Sequence, residues 1–454
     1  MAATSGGALA ATPKDVRDLM RRHKIDPSRA AIVVHRIGER APIVEHQTGK
    51  PFNPASLTKL PLTFAALDIL GVKHRWKTTF AHTGKIRGGI IEGDLILIGG
   101  GDPYLTAEKF IFYIHDLRSR GIRGIDGRLI IDETLFLLPP HDPGAFDRGS
   151  RKPYNVGGGA LAVNFNAHKV TLLPHTSIGA YVEPPNDNFT VKNELSPSKS
   201  RCGNWRGRIS ERYTGDDNRI TLVLRGRYPR RCGEQSFRVS ALNHAANAAG
   251  IFGAVWRRLG GKWNGEWETA AAPPKAKEIT VYESVAPITA VTAMNKHSNN
   301  MMARNIFLSL ASKTGKPPYT PEAAREVFAN WMKQQSIGGE FFIDNGSGLS
   351  RKGRMTAGQM FNLMKNMWSH PLRAEIVSSL PVLGVDGTLS KRSIKGAKSQ
   401  GHLKTGSLAG VKSIAGFLRD ERGRDLIFIC MLNTSGARGK RFQNALMKWA
   451  RALP

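Results

Sequence analysis

Residues 53–60 read Asn-Pro-Ala-Ser-Leu-Thr-Lys-Leu and place a serine and a lysine three positions apart. Asn-Pro is typical of a helix start, and the run from 60 to 70 has helical apolar spacing without an internal glycine. Ser56 and Lys59 are therefore expected on one helix face, within reach of each other. A lysine can accept the proton of a serine nucleophile when burial or a second cation destabilises its ammonium.

Two later stretches complete a pattern with this pair. Ser298 and Asn300 form an S-x-N motif that opens an apolar run. Residues 404–407 read Lys-Thr-Gly-Ser and precede a strand-like segment at 411–418. The order S-x-x-K, S-x-N, K-T-G is the signature of penicillin-binding proteins and serine β-lactamases. The sequence resembles that superfamily, and the serine–lysine pair becomes a candidate catalytic centre.

Two lookalike motifs lack the right surroundings. The S-x-x-K at 196–199 leads into Lys, Arg and Gly rather than into an apolar helix. The K-T-G at 313–315 is followed by Lys-Pro-Pro, and proline cannot donate to a sheet ladder. Lys313 is therefore predicted to be a helix-end lysine beside a capping glycine, and Lys404 is the better candidate.

Length and charge narrow the classes of function. The chain has 454 residues, which allows two to four domains, and its net charge is +30 with a pI near 10.4. Such a charge favours polyanions, namely nucleic acid, anionic lipid or envelope polymers. The basic residues are dispersed and no nucleic-acid-binding motif is recognisable, which favours a generally basic surface over a nucleic-acid site. The histidines are scattered without an H-E-x-x-H pattern, so neither a metal nor a cofactor is predicted.

The termini and cysteines bear on the compartment. No apolar run approaches eighteen residues, so no membrane-spanning helix is predicted. The small residues at 2–12 resemble the end of a cleaved signal peptide whose apolar part is missing. Cys202 and Cys232 flank an Arg/Gly-rich segment and make a plausible disulfide, which would imply an oxidising compartment, although two free thiols are also compatible with the sequence. Cys430 lies in an apolar strand and is predicted to be a buried free thiol.

The remaining periodicity predicts α/β ends and a mostly β middle. A glycine cluster at 99–105 is predicted to be a tight turn rather than a phosphate loop, because no Lys-Ser/Thr follows it and Pro103 interrupts it. Short β-rich runs alternate with Gly, Pro and Asn breaks from 169 to 240. Helices are predicted at 15–24, 106–120, 240–259, 321–335, 356–369 and 440–453. Outside the middle of the chain, the predicted strands are a pair at 30–37 and 42–46, a strand at 341–344, and a hairpin of 416–420 with 424–432.

The spacing of the motifs suggests an insertion. Ser56 and Ser298 are more than twice as far apart along the chain as Ser298 and Lys404, and the surplus coincides with the β-rich middle. This organisation resembles the penicillin-binding protein 4 type of D-alanyl-D-alanine carboxypeptidase/endopeptidase, peptidase family S13. The stretches that also carry the resemblance are Gly-Gly-Gly-Asp-Pro-Tyr-Leu at 99–105, Asp-Glu-Thr at 132–134, and Asp-Asn-Gly-Ser-Gly-Leu-Ser-Arg at 344–351, where Asn345 is an addition to the usual pattern.

The resemblance implies an α/β (α+β) fold. A penicillin-binding, serine β-lactamase-like transpeptidase domain would be built around a five-stranded antiparallel sheet and would carry a mostly β, two-part insertion. The implied domains are a catalytic domain at 14–81 and 282–454, an inserted domain II at 82–165 and 257–281, and a nested β-rich domain III at 166–256 that contains both Cys202 and Cys232. It also implies export to the periplasm.

The mechanism expected from the motifs is acyl transfer without a cofactor. Ser56 would be the nucleophile, Lys59 its general base, and Ser298 the proton donor to the leaving amine. Asn300 would hold the substrate amide. The residues expected to bind the terminal carboxylate and to complete the oxyanion hole are Lys404, Thr405, Gly406 and Ser407. Arg351 and Asp147 would recognise the zwitterionic end of a diaminopimelate-like side chain.

The predicted function is hydrolysis of D-Ala-D-Ala, or of D-Ala-diaminopimelate cross-links, in peptidoglycan stem peptides, with covalent binding of β-lactams. Carboxypeptidase and endopeptidase activity remain open alternatives. A serine β-lactamase is the nearest rival, although no Glu-x-x-Leu-Asn deacylation motif is recognisable and the insertion argues against it. A basic polyanion-binding protein is the rival from another class. Anionic envelope polymers or a membrane surface are further candidate partners, no specific nucleic-acid partner is expected, and the chain is expected to be a monomer or dimer.

Overall fold

The computed structural model describes residues 12–434 and 436–454. The predicted signal-peptide remnant therefore lies, apart from Thr12, outside the described residues. The chain divides into two compact units. The motif unit comprises the residues up to His74, Ala286–Thr314 and Pro321–Pro454, and the inserted unit comprises Arg75–Val285 and Gly315–Thr320. All three signature motifs belong to the motif unit.

The motif unit begins with a helix and a pair of strands, as predicted. Helix α1 buries Val16, Leu19 and Met20, which recur at helical spacing. Strand β1 is buried on both faces and pairs antiparallel with β2. The elements of this part are α1 (Lys14–Arg22), β1 (Ala30–Arg36), β2 (Val44–His46), β3 (Pro51–Phe52) and α2 (Lys59–Ala65).

The inserted unit is mostly β, as predicted. Its elements are β4 (Lys77–His82), β5 (Lys85–Arg87), β6 (Ile90–Glu92), β7 (Leu95–Ile98), α3 (Ala107–Ser119), β8 (Gly124–Ile125), β9 (Leu129–Asp132), β10 (His168–Pro174), β11 (Ile178–Glu183), β12 (Phe189–Ser198), β13 (Ile209–Gly215), β14 (Ile220–Pro229), β15 (Gln235–Val239), α4 (His244–Arg258), β16 (Lys262–Trp263), β17 (Trp267–Thr269) and β18 (Lys277–Glu283). They form the sheets β17-β9-β7-β4-β18, β16-β8-β6-β5, β11-β10-β15 and β12-β14-β13. The glycine cluster before α3 is a turn, and Thr106 caps that helix.

The compact units end at positions that differ from the predicted domain limits. Strands β4 and β18 pair antiparallel, and both belong to the inserted unit. The predicted limits of the catalytic domain at 81 and 282 therefore fall inside the inserted unit. Helix α4 buries Phe252 and Trp256 in the same apolar cluster as Phe110 of α3, while Ala246 at its start packs with the cluster of β10 and β14, so the predicted limit of the nested part at 256 stays a prediction. A second cluster, centred on β10 and β14, supports the predicted two-part insertion.

The cysteines behave as predicted. Cys202 and Cys232 form a disulfide with 4.8 Å between their Cα atoms. The bond links the loop after β12 to the short 3₁₀ turn after β14, and so fastens two segments that follow the paired parallel strands. Cys430 is a free thiol, fully buried in the sheet of the motif unit, and burial raises its pKa.

The second part of the motif unit contains helices followed by three long strands. Its elements are α5 (Pro287–His297), α6 (Asn300–Ser309), α7 (Pro321–Gln334), β19 (Met355–Thr356), α8 (Ala357–Ser369), α9 (Arg373–Ser378), β20 (Gly401–Leu408), β21 (Val411–Arg419), β22 (Asp425–Leu432) and α10 (Gly436–Arg451). The predicted strand at 341–344 is wrong: only an isolated bridge joins Phe342 to Arg354. The glycines that follow turn the chain before a ladder can form.

A five-stranded antiparallel sheet organises the motif unit, as the resemblance implied. Its order is β2-β1-β22-β21-β20, and Cys430 lies opposite both Ile32 and Ile414. Helices α1 and α10 bury their apolar sides against one face of this sheet in a single cluster. Strand β20 is the edge strand and carries the K-T-G motif. The segment at 381–383 covers the first residues of its outer side through an isolated bridge between Val382 and His402.

Candidate active site

The predicted nucleophile lies in a tight turn that leads into α2. Residues Ala55–Thr58 form a 3₁₀ turn, α2 follows, and Ala66–Leu70 continues it as a π-helical turn. Ala55 has a φ of 49°, in the left-handed region that residues with a side chain rarely occupy. The Oδ1 atom of Asn53 accepts a hydrogen bond from the Ala55 N–H at 2.9 Å, which helps to hold this conformation. The turn leaves Ser56 partly exposed while its neighbours are buried.

Lys59 points from α2 to the serine. Its side chain is fully buried, and its Nζ donates to Ser56 Oγ at 3.2 Å, to Asn300 Oδ1 at 2.8 Å and to the carbonyl oxygen of Ser347. Burial, and then the charges of Lys404 and Arg304, hold the pKa of Lys59 well below its ordinary value. A lysine in this state is neutral at a lower pH than usual and can accept the proton of Ser56 Oγ.

A buried polar network fixes the helix below Lys59. The Thr63 hydroxyl donates to the Lys59 carbonyl oxygen at 2.7 Å. Asn295 Nδ2 in turn donates to Thr63 Oγ1 at 2.8 Å and to Ser379 Oγ at 3.1 Å. These contacts tie α2 to α5 and to the end of α9. The backbone that carries Lys59 is thereby positioned by groups that do not themselves touch Ser56.

The S-x-N motif lies where α5 ends and α6 begins. Ser298 has a φ of 53°, so the chain turns there through a left-handed residue. Asn299 caps α6, with its Oδ1 accepting from the Met302 N–H at 3.0 Å. The turn places Ser298 on the side of Lys404 and places Asn300, the first residue of α6, on the side of Lys59.

Lys404 connects the sheet edge to Ser298. It is fully buried on β20, and its Nζ donates to Ser298 Oγ at 2.9 Å and to the Thr405 carbonyl oxygen at 3.0 Å. Burial lowers the pKa of Lys404 to about 7. The structure thus brings together all three motifs, which are distant in sequence, through two buried lysines.

Gly406 allows the edge strand to approach the serine turn. A Cβ atom at this position would lie 2.7 Å from the Pro54 carbonyl oxygen and 3.1 Å from the Ser56 nitrogen. Only a glycine therefore permits this approach of β20 to the nucleophile. On either side of it, Thr405 Oγ1 donates to Thr388 Oγ1 at 3.1 Å, and Ser407 Oγ accepts from Lys412 Nζ at 3.0 Å.

Several residues of the site escaped prediction from the sequence. The turn at 344–351 supplies the Ser347 carbonyl that accepts from Lys59, and Asn345 Oδ1 holds that serine through its hydroxyl at 2.6 Å. Arg304 adds to the electrostatic field at Lys59 although it belongs to no motif. The sequence did contain a signal for Arg304: it lies in the apolar run after S-x-N, and a buried arginine on such a face is unusual.

The two predicted specificity residues have local partners in separate units. Arg351 donates to the Ala409 carbonyl oxygen at 3.0 Å, in the turn between β20 and β21. Asp147 accepts from Tyr154 Oη at 2.7 Å and from Asn155 Nδ2 at 2.8 Å, and these two bonds lower the pKa of Asp147. Their joint action on one substrate stays a prediction.

The lookalike motifs lie outside this constellation. Ser196 is a residue of strand β12, not of a helix. Lys313 lies in the 3₁₀ turn Leu310–Thr314 that follows α6, as predicted for a helix-end lysine.

Within residues 12–434 and 436–454, no group of three or more His, Cys, Asp or Glu side chains has the arrangement of a metal site. No helix in that same part of the chain has the length and apolar character needed to span a membrane.

Proteins similar to this chain are recognisable both by sequence and by fold. A D-alanyl-D-alanine carboxypeptidase DacB of Haemophilus influenzae is 24% identical over 89% of this chain and 85% of its own length. The D-alanyl-D-alanine carboxypeptidase of Actinomadura sp. strain R39 is 24% identical over 98% of this chain and 85% of its own length. The crystal structure of penicillin binding protein 4 (dacB) from H. influenzae matches with a TM-score of 0.80 at 23% identity, covering 97% of this chain and 100% of that one. Its complex with a β-lactam matches with a TM-score of 0.76.

The likeness to the H. influenzae structure confirms the predicted fold class, a penicillin-binding fold that carries an insertion. The family model for the D-Ala-D-Ala carboxypeptidase 3 (S13) family matches residues 13–453, which is nearly the whole chain. The predicted resemblance to S13 enzymes is thereby confirmed as well. The chain belongs to the D-Ala-D-Ala carboxypeptidase 3 (S13) family.

Proposed function

We propose that the protein is a serine DD-peptidase that hydrolyses D-alanyl-D-alanine ends of peptidoglycan stem peptides through an acyl-enzyme on Ser56. The observation that carries the proposal is the position of Lys59. Its buried Nζ lies 3.2 Å from Ser56 Oγ, and its pKa is lowered by burial and by neighbouring cations. Family membership supplies the class of reaction, and the names of the relatives supply the class of substrate.

In the acylation step Ser56 Oγ attacks the carbonyl carbon of the penultimate D-alanine, and its proton passes to neutral Lys59 Nζ. The N–H groups of Ser56 and Ser407 stabilise the oxyanion, where the loss of one donor typically costs about 10²–10³-fold in rate. The C–N bond then breaks as the leaving amine takes a proton from Ser298 Oγ. Lys404 Nζ, 2.9 Å from that oxygen, restores the proton to Ser298.

Substrate contacts come from the sheet edge and from α6. The hydroxyls of Thr405 and Ser407, together with the charge of Lys404, bind the terminal carboxylate, and Gly406 gives them access beside the nucleophile. Asn300 Oδ1 accepts a hydrogen bond from Lys59 Nζ, which supports a role in orienting the base. In this proposal the amide group of Asn300 also holds the substrate amide. Water then attacks the acyl carbonyl carbon, one water proton passes through Ser298 Oγ to Lys404 Nζ, and the ester bond breaks as Ser56 Oγ takes back the proton held by Lys59 Nζ, which regenerates the serine and both lysines.

Release of D-alanine from diacetyl-L-lysyl-D-alanyl-D-alanine tests this function. We expect the wild-type protein to release D-alanine, the same peptide ending in L-alanine to be inert, and Ser56→Ala to abolish release. A Lys313→Ala variant serves as the matched control, because it alters the lookalike motif. A wild-type protein that releases no D-alanine, or a Ser56→Ala variant that keeps its activity, contradicts the proposal.

The same site should react with β-lactams, which present a strained amide and a carboxylate in the geometry of the D-Ala-D-Ala end. The similar H. influenzae protein has been crystallised in complex with a β-lactam. A serine β-lactamase would turn these compounds over rapidly, whereas a DD-peptidase keeps the ring-opened leaving group tethered and is trapped. Measured β-lactam turnover separates the two functions.

Arg351 and Asp147 are proposed to recognise a diaminopimelate-like side chain of the substrate. An arginine and an aspartate match the carboxylate and the ammonium of its zwitterionic end. We expect Arg351→Ala and Asp147→Ala to lower kcat/KM for peptides with that side chain by more than for peptides without it. An unchanged ratio of the two kcat/KM values in both variants removes the assignment.

We further propose a periplasmic location and attachment to anionic envelope polymers. The disulfide fits an oxidising compartment. Helix α10 contains no acidic residue and exposes Arg438, Arg441 and Lys448. Co-sedimentation with purified envelope should therefore weaken steeply between low and physiological salt, while turnover of a small peptide changes little. Sedimentation that is insensitive to salt counts against this attachment.

A further inference from the structure

A tight turn outside the three motifs lies between the S-x-N turn and the K-T-G strand. It reads Asp-Gly-Thr at 386–388. Its aspartate bonds to Lys296, two positions before Ser298. Its threonine hydroxyl accepts a hydrogen bond from that of Thr405, the residue after Lys404. The turn therefore touches both segments that form the proposed proton relay to the leaving amine.

The carboxylate of Asp386 bonds to two different elements. Oδ2 accepts from Lys296 Nζ at 2.6 Å, and Oδ1 accepts from the Val382 N–H at 2.8 Å. Partial burial of the carboxyl acts in the opposite direction, but these two bonds lower the pKa of Asp386, so the group is ionised at neutral pH. The side chain of Lys296 is only 17% exposed, which limits the access of water to the ion pair. Asp386 thus joins the last turn of α5 to the segment that contains Val382.

The segment that contains Val382 is itself fixed to the K-T-G strand. Val382 forms an antiparallel bridge with His402, two residues before Lys404. Two backbone hydrogen bonds of 2.9 Å join the segments 381–383 and 401–403 on either side of this bridge. The carboxylate of the turn therefore connects α5 to the strand that carries Lys404.

The turn also packs its backbone against Lys296. Gly387 has a φ of 53°, and a Cβ atom there would lie 2.6 Å from the Lys296 carbonyl oxygen. The left-handed conformation and the close approach both require a glycine at this position. Lys296 is therefore held through its side chain by Asp386 and through its backbone by Gly387. Ser298 follows two residues later with a φ of 53°, so the direction of its side chain depends on where α5 ends.

We propose that Asp386 is a positioning residue for the transfer of a proton to the leaving amine. By joining the end of α5 to the K-T-G strand, it sets the distance between Ser298 Oγ and Lys404 Nζ, which is 2.9 Å. The proposal rests on the proposed DD-peptidase function and deepens it, because it concerns the same proton relay. The relay matters for a leaving group that must be protonated as it departs.

Two substrates with different leaving groups test the proposal. Diacetyl-L-lysyl-D-alanyl-D-alanine releases an amine, which takes a proton from Ser298 as the C–N bond breaks. In diacetyl-L-lysyl-D-alanyl-thioglycolate the C–S bond breaks and the thiolate leaves with the electron pair. It needs no proton from the relay, because a thiol such as that of cysteine ionises at a pH of about 8.5. Both substrates keep a terminal carboxylate, and both need Lys59 to take the proton of Ser56.

The variant Asp386→Asn keeps an oxygen that can accept from the Val382 N–H but loses the charge that holds Lys296. We expect its kcat/KM for the D-alanine peptide to fall about tenfold or more, since misplacement by about 1 Å can cost about 10²-fold. The thioglycolate should lose less than about threefold, because its leaving group does not need the relay. Lys296→Met should show the same selective loss. The double variant should lose no more than either single variant, because both changes remove one contact.

Asp425→Asn is the matched control. It removes the ion pair between Asp425 and Arg419, in the hairpin of β21 and β22 within the same sheet. It should keep the wild-type ratio of the two kcat/KM values. Asp386→Asn should unfold at nearly the wild-type temperature, because partly exposed ion pairs contribute little to stability.

The outcomes are distinguishable. If the wild-type protein cleaves the D-alanine peptide and Asp386→Asn slows both substrates equally, or slows neither, the positioning role is overturned and the DD-peptidase function stands. If Asp425→Asn lowers the ratio as much as Asp386→Asn, loss of any ion pair in the sheet is responsible and the positioning role is again overturned. A wild-type protein that hydrolyses neither substrate overturns both proposals together.

Should Asp386→Asn fail to fold, the ratio measured for Lys296→Met decides the question in the same way. A ratio that falls in both single variants, and no further in the double variant, supports the positioning role of Asp386.

Discussion

Replacement of Lys59 by alanine is expected to slow acylation of Ser56 by about 10²–10⁴-fold, the usual contribution of general acid–base catalysis. The reason is that Lys59 is the candidate base for Ser56. Among the described residues, Lys59 Nζ is the side-chain nitrogen that lies within hydrogen-bonding distance of Ser56 Oγ. The measurement is the second-order rate constant for covalent modification by a β-lactam. Lys59→Met should be equally slow, because it keeps most of the buried volume but has no basic nitrogen.

The acylation rate should also depend on pH in a defined direction. Lys59 acts only when neutral, and burial together with the charges of Lys404 and Arg304 lowers its pKa. The rate should therefore fall as the pH drops through that lowered pKa, and the fall should occur at a lower pH than for an ordinary lysine. The Lys313→Ala variant should have the wild-type profile. An acylation rate for Lys59→Ala within about threefold of wild type would show that another group takes the serine proton.

A second large loss of acylation rate is expected from the substitution of Gly348, a residue without a side chain. Gly348 has a φ of 77°, and a Cβ atom there would overlap the Ala55 carbonyl oxygen and lie 2.9 Å from the Ser56 nitrogen. Gly348→Ala must therefore displace either the 344–351 turn, which holds Lys59 through Ser347, or the turn that carries Ser56. We expect acylation to slow by at least about 10²-fold, because misplacement of reacting groups by about 1 Å can cost that much.

Gly353→Ala is the matched control for this effect. Its added Cβ would find its nearest neighbour, the Pro54 side chain, at 3.6 Å, which is an ordinary contact distance. It should acylate at a rate close to that of wild type. Circular dichroism and thermal unfolding of both variants separate a displaced site from a lost fold. Equal acylation rates for Gly348→Ala and wild type would mean that the 344–351 turn does not position the nucleophile.

The sequence predicts those parts of the site that depend on local spacing. Ser56 and Lys59 are three residues apart on one helical segment, so their proximity follows from helix geometry. The contact between Lys404 and Ser298 could be anticipated only through the order of the motifs, because no local rule brings an edge strand to a turn between two helices. The five-stranded sheet was predicted through the family resemblance, whereas the disulfide was predicted from the placement of Cys202 and Cys232 around an Arg/Gly-rich segment.

Other features depend on long-range packing and could not be predicted. The left-handed conformation of Ala55 is supported by a hydrogen bond to Asn53 Oδ1, and the turn packs closely against Gly348, which lies far away in sequence. The predicted domain limits at 81 and 282 missed the pairing of β4 with β18, since pairing partners cannot be read from the apolar pattern of one strand. The predicted strand at 341–344 has strand-like composition, yet only one bridge forms there.

Intact-protein mass spectrometry after brief exposure to penicillin shows whether Ser56 is the acylated nucleophile. We expect one adduct with the mass of penicillin, stable for minutes or longer because the tethered amine blocks deacylating water, and located by digestion on the peptide that contains Ser56. Ser56→Ala should carry no adduct, and Lys313→Ala should be modified like the wild type. An adduct that persists in Ser56→Ala, or one that maps to another peptide, would show that a different residue is acylated.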